Sequence, residues 1–197
     1  MVLPSKPKLR KMNLKKLFLF ATFFEAQALL KQGNFQKIER NYFKKENLEV
    51  LITGIGQKQV EKTLKKHQPT CDIAINIGLC GGIKNLNIGD IFIPTTIFTE
   101  EELQSNNILN SSVLITLLKP FKNLEDFLKQ WSFNNNADYL GADLEAGYLQ
   151  TYFKKQNISF ISMKVVSDLG EEDFKTHFLQ RKPLLEKRIE NVVKKQL

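Results

Sequence analysis

Short apolar runs alternate with amphipathic helical stretches along this chain, and several of the runs end in glycine or in an acidic residue. The segments are LFLFATFFE (17–25), LEVLITGIG (48–56), CDIAINIGLCGG (71–82) and FISMKVVSD (160–168). The alternation predicts an α/β protein in which helices cover a central sheet. Open α/β proteins bind ligands at the carboxyl ends of their strands, so these glycines and acids predict a polar ligand site there.

Hydrophobic periodicity and chain breakers give the expected elements. Strands are expected at 17–21, 72–77, 91–98, 113–118, within 134–142 and at 158–166, with 34–43 and 48–53 as a hairpin-like pair. Helices are expected at 25–31, 57–67, 124–131, 144–155 and 174–195, the last broken or kinked at Pro183. Gly78, Gly81 and Gly82 are expected to form a tight turn, and 99–112 a surface loop. Without repeats or linkers, 197 residues predict a single-domain three-layer α/β/α sandwich around a twisted mixed β-sheet.

The first residues imitate a signal peptide, because the basic segment MVLPSKPKLRKMNLKK precedes the apolar run LFLFATFF. That run is short, Glu25 interrupts it, and a helical pattern follows it. We therefore expect residues 1–16 to be a flexible basic leader and 17–197 to be the folded domain, with Met12 as an alternative start. No segment is long and apolar enough for a membrane span, so the sequence predicts a cytoplasmic protein without membrane partners.

The net charge of +8 raises the question of nucleic-acid binding. The lysines are spread over helix faces, however, and the four arginines are Arg10, Arg40, Arg181 and Arg188. Proteins that read bases or clamp phosphates usually use arginine more heavily. We expect solvated lysines and no nucleic-acid partner.

Two cysteines and two histidines, without CxxC or HExxH spacing, give little basis for a metal site. Cys71 and Cys80 flank a predicted buried strand and are typical of a reducing compartment. We expect no metal and no cofactor.

The turn TGIG, which begins with Thr53 and Gly54, follows a strand and opens a helix. Backbone N–H groups at such a turn can bind an anion or a hydroxyl. The turn lacks the third glycine of a dinucleotide fingerprint and the Gly-Lys-Ser/Thr of a P-loop. The same residues also suit a plain strand-to-helix turn.

The block NIGLCGGIKNLNIGD (76–90) is more particular, and with it the chain resembles the nucleoside phosphorylase and nucleosidase superfamily. It is most similar to methylthioadenosine/S-adenosylhomocysteine nucleosidases and to relatives that hydrolyse aminofutalosine in menaquinone synthesis. The resemblance runs in order through five segments: the first strand with Glu25, TGIG, the 76–90 block, GADLEAGYLQ (141–150) and FISMKVVSD.

The resemblance implies that Asp168 is the acid that protonates the purine at N7, which cleavage of a purine–ribose bond demands. Such an acid must keep its proton near neutral pH, which partial burial favours. From the residues alone, Asp168 could instead cap the helix after it. Ser167 precedes the acid and Gly81 belongs to the glycine block, and both are expected to line the substrate.

The resemblance also implies that Glu25 activates the attacking water at C1′ and that Glu145 binds the ribose hydroxyls above Leu144. Lys164 stands where the family often has an arginine beside the water. Taken alone, Glu25 could be a solvated helix-start glutamate and Glu145 an ordinary first-turn glutamate that complements the helix dipole.

Two segments depart from the family pattern. The loop whose aromatic side chain stacks on the base is not recognisable, and Phe121 or the backbone at 118–120 is its candidate replacement. The connection 99–112 is short, and in relatives this region reaches across a dimer to the nucleoside's 5′ group. The resemblance implies a homodimer and leaves the 5′ substituent open.

Phosphorylases of this superfamily hold phosphate with arginines near the first strand, and none of the four arginines falls there. A carboxylate at 25 would repel phosphate and suit water, so we expect hydrolysis that releases adenine from a 5′-modified nucleoside. A phosphorylase on the same fold, a nucleoside-binding protein without catalysis and, last, an RNA-associated protein remain alternatives.

Overall fold

The computed structural model describes residues 14–103, 112–118, 137–171 and 173–197. Within these residues the strands are β1 Lys16–Phe20, β2 Gln36–Glu39, β3 Tyr42–Lys45, β4 Leu48–Ile52, β5 Ile73–Lys84, β6 Ile91–Phe92, β7 Thr96–Thr99, β8 Ser112–Thr116, β9 Tyr139–Asp143 and β10 Ser159–Asp168. The helices are α1 Phe23–Gly33, α2 Gln57–His67, α3 Glu100–Leu103, α4 Ala146–Lys154 and α5 Phe174–Lys194.

One mixed sheet contains all ten of these strands. Its main path has the order β2-β3-β4-β1-β5-β9-β8-β7, and β10 pairs with both β5 and β6. β1 is parallel to β4 and β5, and β5 is parallel to β10. The distal part of β5 runs antiparallel to β9, which is parallel to β8. The parallel strands therefore bring their carboxyl ends to one edge, and β9 ends at the middle of β5.

Helices cover both faces of the sheet. Successive residues of β1 point to opposite faces, so this strand packs against helices on each side. Phe18 and Phe20 lie in a buried cluster with residues of α1 and α5. Leu17 and Leu19 lie in another cluster with residues of α2 and α4. A strand that is buried on both faces has a continuous apolar sequence, and LFLF in β1 is such a sequence. The prediction of a three-layer α/β/α sandwich with a mixed sheet is confirmed.

The helix ends follow local chemistry. Thr22 begins α1 with a capping box, in which its side chain accepts from the Glu25 amide and the Glu25 side chain accepts from the Thr22 amide. The predicted bounds of α2 match the structure, since Gly56 precedes the amphipathic run and Pro69 follows it. α5 continues through Pro183, so the helix is not broken there and a kink stays a prediction, and Asp173 caps the first turn of α5.

The predicted glycine turn is also wrong. Gly78, Gly81 and Gly82 lie inside β5, which continues through them to Lys84. None of the three has a positive φ, whereas Gly54, Gly56, Gly89 and Gly170 do. Glycine inside a strand commonly marks the close approach of other groups, and here it leaves room for side chains at the site.

Other boundaries differ as well. The expected strand 91–98 is divided into β6 and β7 around Pro94, which cannot donate to a ladder. The segment 34–43 contributes β2 and β3, so that the predicted pair becomes a three-stranded meander with β4. The expected loop 99–112 begins with the short helix α3. The expected helix 124–131 and Phe121 lie outside the described residues, as does the predicted leader except for its last three residues.

Candidate active site

The carboxyl ends of β1, β4, β5 and β10 carry most of the residues that the sequence predicts to be functional. Glu25 follows β1, the TGIG turn follows β4, and Asp168 ends β10. β9 ends at Asp143 and leads directly into Glu145. The sheet topology therefore gathers carboxylates from distant parts of the chain at one edge.

Three hydrogen-bond donors fix the Glu25 carboxylate. Its Oε2 accepts from the Thr22 amide at 2.7 Å and from Thr22 Oγ1 at 2.9 Å. Its Oε1 accepts from the Leu79 amide of β5 at 2.9 Å. The residue is 5% exposed, so Glu25 is a buried and oriented carboxylate and not a solvated helix-start residue.

Gly78 makes room for Glu25 and Lys164. A Cβ at position 78 would lie 2.7 Å from Glu25 Oε1 and 3.5 Å from Lys164 Nζ. Both charged groups are therefore neighbours across the bare backbone of β5. The glycine block supplies space beside the proposed catalytic groups, which its sequence pattern alone does not reveal.

Lys164 forms a buried ion pair with Asp143. Its Nζ lies 2.8 Å from Asp143 Oδ2, which also accepts from the Ala146 amide at 3.0 Å. Asp143 Oδ1 accepts from Thr116 Oγ1 at 2.6 Å. Burial by itself would lower the pKa of Lys164, but the charges of Asp143 and Glu145 outweigh it and hold the pKa above its usual value.

Sequence reasoning gave Asp143 no separate role, although an acid two positions before Glu145 at a strand end was a signal. In the structure it orients Lys164 and begins α4, because it accepts from the Ala146 amide. Because Lys164 is paired with Asp143, it keeps its positive charge within the site.

Glu145 is 6% exposed, and its Oε1 accepts from the Gly56 amide at 2.9 Å. Burial, and to a lesser degree the charges of Asp143 and Glu25, raise the pKa of Glu145, whereas Lys164 and the Gly56 amide lower it, and the net result is a pKa of about 7. Glu145 therefore changes charge near neutral pH. A carboxylate poised in this way is typical of functional sites.

The TGIG turn contacts the site through a residue that sequence reasoning missed. Thr53 Oγ1 donates to the Phe20 carbonyl at 3.1 Å, and the Gly54 amide donates to the Ala21 carbonyl at 3.1 Å. These bonds tie the turn to β1. The Gly56 amide is the one that reaches Glu145, and a backbone φ of 78° explains the glycine there. Substrate contacts of Thr53 and Gly54 stay a prediction.

Asp168 ends β10 at a bulge. It pairs with Gly81, and the register shifts between Val166 and Asp168 so that Ser167 is the extra residue. Asp168 Oδ2 accepts from Ser167 Oγ at 2.7 Å, and Oδ1 accepts from the Gly170 amide at 3.1 Å. A Cβ at position 81 would lie 3.2 Å from Asp168 Oδ1. Asp173, and not Asp168, caps the closing helix.

The two ends of the site stand over glycines of one strand. Gly78 lies beside Glu25, and Gly81 lies beside Asp168. Leu144 is half-buried and packs against the cluster that includes Val113.

A separate groove of about 240 Å³ lies between α1 and α5 and is lined by Phe24, Ala28 and Ile189, among others. It contains none of these carboxylates. Among the described residues, no three His, Cys, Asp or Glu side chains are placed to hold a metal ion. In the same part of the chain, no helix is long and apolar enough to cross a membrane.

No protein-family model and no curated protein sequence matches the chain. Solved structures do match it. The nucleosidase MTAN of Chlamydia trachomatis bound to adenine has 18% identity and a TM-score of 0.72 over 90% of this chain and 94% of its own. An Asp-to-Asn variant of that protein bound to MTA has 16% identity and a TM-score of 0.71, over 89% of this chain and 93% of its own.

An MTAN variant of Helicobacter pylori, with 5′-methylthioadenosine in its active site, has 13% identity and a TM-score of 0.69 over 94% of this chain and all of its own. These similarities agree with the resemblance that the sequence motifs indicate. The chain has the fold of the 5′-methylthioadenosine/S-adenosylhomocysteine nucleosidases.

Proposed function

We propose that the protein is a nucleosidase that hydrolyses the N-glycosidic bond of a 5′-modified adenine nucleoside and releases adenine. The observation that carries this proposal is the pair of carboxylates over Gly78 and Gly81 of one strand, with Glu25 at one and Asp168 at the other. The similarity to nucleosidases that bind adenine and MTA supports the substrate class.

In this reaction the bond between C1′ and N9 breaks, and its electrons pass to the purine. Asp168 donates a proton to N7, which makes the base a better leaving group. Ser167 Oγ faces both Asp168 Oδ2 and the Cys80 carbonyl, at 2.7 and 3.1 Å. The Ser167 hydroxyl can therefore donate to the Asp168 carboxylate while Asp168 is ionised. It can donate to the Cys80 carbonyl while Asp168 is protonated.

Water supplies the new bond to C1′, and Glu25 accepts its proton. Because three donors fix the Glu25 carboxylate, its orientation does not have to be acquired during the reaction. Lys164 lies beside it and helps to hold the water. Glu145 accepts from the ribose hydroxyls when it is ionised, and Leu144 packs beneath the sugar.

The described arginines favour water over phosphate as the attacking group. Arg181 is engaged with Glu171 and the Ser167 carbonyl. Arg40 is exposed at the turn between β2 and β3, and Arg188 is exposed on α5. A phosphate dianion beside the Glu25 carboxylate would be repelled.

The test incubates the purified protein with methylthioadenosine, S-adenosylhomocysteine and aminofutalosine, in the presence and absence of phosphate, and measures adenine. We expect adenine without phosphate, and the preferred substrate identifies the 5′ group; aminofutalosine would connect the protein with menaquinone synthesis. Adenine release that requires phosphate and yields ribose 1-phosphate would show a phosphorylase instead.

Asp168→Asn keeps the side-chain shape and removes the acid. We expect it to retain adenine binding and to lose turnover by a factor of about 100 or more. A wild type that binds these nucleosides without turning any of them over would be a binding protein. We also propose a cytoplasmic homodimer, and light scattering after size-exclusion chromatography measures its mass.

A further inference from the structure

A turn held by side chains follows Asp168. The Gly170 amide donates to Asp168 Oδ1, and the Leu169 amide donates to Glu171 Oε2 at 3.0 Å. Gly170 has a φ of 79°, which favours glycine. Glu171 therefore holds the turn that begins at the Asp168 carboxyl.

Arg181 of α5 clamps this turn to the end of β10. Its Nη2 lies 2.7 Å from Glu171 Oε1, and its Nη1 lies 3.1 Å from Glu171 Oε2. The same Nη1 donates to the Ser167 carbonyl at 3.3 Å. A two-pronged bond between guanidinium and carboxylate fixes direction as well as distance.

The clamp also places a positive charge close to the acid. The pKa of Arg181 is raised, first by its hydrogen bond to Glu171 and also by the charges of Glu171 and Asp168. The hydrogen bond from Arg181 lowers the pKa of Glu171 to about 2. Glu171 is therefore ionised at neutral pH and balances the guanidinium.

The other groups around the Asp168 carboxyl add little charge of their own in the described part of the chain. On β5, Gly81 has no side chain, and burial raises the pKa of the Cys80 thiol, which stays neutral. Ser167 on β10 is uncharged. Lys164 and Asp143, whose charges also act on Cys80, form a pair of opposite charges.

An unbalanced guanidinium beside Asp168 would oppose the proton that the reaction requires, because a nearby positive charge favours the ionised carboxylate. We propose that Glu171 and Arg181 are positioning residues for the acid: together they hold the turn that carries Asp168, and Glu171 balances the Arg181 charge so that no uncompensated guanidinium acts on the Asp168 carboxyl. This inference rests on the proposed role of Asp168 as the acid.

The two halves of the clamp then have opposite effects. Glu171→Gln leaves the guanidinium unbalanced, so Asp168 loses its proton at a lower pH. Arg181→Gln leaves an anion, so Asp168 keeps its proton to a higher pH. In the double variant Glu171→Gln/Arg181→Gln both charges are absent and the two effects cancel. A brace with a purely structural role would give variants that change in the same direction or not at all.

The measurement is a titration of the Asp168 carboxyl by NMR of protein with carboxyl-¹³C-labelled aspartate, in which Asp168→Asn assigns the resonance. We expect the midpoint to move down by about half a pH unit or more in Glu171→Gln and up by a similar amount in Arg181→Gln. The double variant should return towards the wild type. Glu186→Gln, which removes an exposed pair with Lys182 on the same helix, is the matched control and should not move it.

The high-pH limb of kcat/KM for adenine release should move in the same directions as the NMR midpoints. Equal or absent shifts in the two single variants would overturn the proposal. If Arg181→Gln does not fold, the Glu171→Gln variant is a sufficient test. An Asp168 midpoint in Glu171→Gln that is equal to or higher than that of the wild type contradicts the proposed charge balance. Opposite NMR shifts in a protein that turns over no nucleoside would uphold the clamp and refute the nucleosidase.

Discussion

Lys164 Nζ lies 2.8 Å from Asp143 Oδ2, and the two side chains are 2% and 1% exposed. The Asp143 carboxylate also accepts hydrogen bonds from Thr116 Oγ1 and the Ala146 amide. Both of its oxygens therefore have hydrogen-bond donors. Buried pairs of this kind contribute little net stability as pairs, but removing one partner leaves a charge unbalanced.

Asp143→Asn should therefore lower the free energy of unfolding by about 3 kcal/mol, because Lys164 stays charged in a buried place. Urea denaturation at pH 7 measures the loss. Glu190→Gln, in an exposed pair with Lys194, should change stability by less than about 0.5 kcal/mol. The double variant Asp143→Leu/Lys164→Met should be more stable than Asp143→Asn. A single variant as stable as the wild type would contradict the burial of an unbalanced charge.

Glu145→Gln should stabilise the protein above neutral pH and abolish its activity. Because burial raises the pKa of Glu145 from 4.5 to about 7, the folded state binds a proton between these values that the unfolded chain has released. Its contribution to stability therefore falls as the pH rises through that window. Glutamine can still accept from Gly56 and carries no charge.

We expect the gain to be about 1–3 kcal/mol at pH 8 and to vanish below pH 4. Thermal unfolding from pH 3 to 8 measures it. A gain that does not depend on pH would show that charge burial is not its cause.

Glu49→Gln should have the opposite pH dependence. Glu49 Oε1 lies 3.0 Å from Lys15 Nζ and 3.4 Å from Lys44 Nζ. Burial by itself would raise the pKa of Glu49, but hydrogen bonds from Tyr42 and Lys15 outweigh it and hold the pKa below 4.5. Its stabilising contribution is therefore present above that pH and is lost as the pH falls.

The variant should lose about 1 kcal/mol at pH 7, because the partly exposed Lys15 and Lys44 lose their ionised acceptor. The loss should shrink below pH 4 in the same unfolding series. A loss that persists unchanged at pH 3 would point to packing instead of charge.

Gly78→Ala should displace the proposed base. Its Cβ would lie 2.7 Å from Glu25 Oε1, closer than atoms of this kind can approach, and Glu25 is held by three bonds that resist movement. A misplacement of about 1 Å in a catalytic group can reduce the rate 100-fold, so we expect a loss of that order in kcat. Steady-state kinetics of adenine release measure it, and a thermal melt close to that of the wild type separates displacement from unfolding. Unchanged kcat would argue against Glu25 as the base.

Local pattern was enough to predict much of the fold. The helix Gln57–His67 agrees with the prediction, because an amphipathic run lies between a glycine and a proline. The strands β1, β4, β8 and β10 agree with the prediction to within two residues, whereas β5 continues seven residues beyond its predicted end. The glycine block was misjudged for a physical reason: a glycine that permits a turn and one that clears space for a distant carboxylate look the same in sequence.

The sequence was enough to name candidate site residues, and not enough to predict the contacts between them. Glu25, Glu145 and Asp168 follow from the motif resemblance, and the structure gathers them at one edge. The Gly56 amide on Glu145, the Asp143 partner of Lys164 and the Arg181–Glu171 clamp each join different elements of the fold. Such pairings arise from the packing of the sheet and its helices, which periodicity does not encode.

The bulge at Ser167 has a consequence for how this site can change over time. One additional residue in β10 decides which neighbour on β5 Asp168 meets, and side chains alternate between faces with a period of two. A codon gained or lost upstream in this strand would turn the acid away from its partner, although every functional side chain remained in the gene. Length variation within β10 is therefore a route by which descendants of this protein can lose the proposed catalysis and keep the fold.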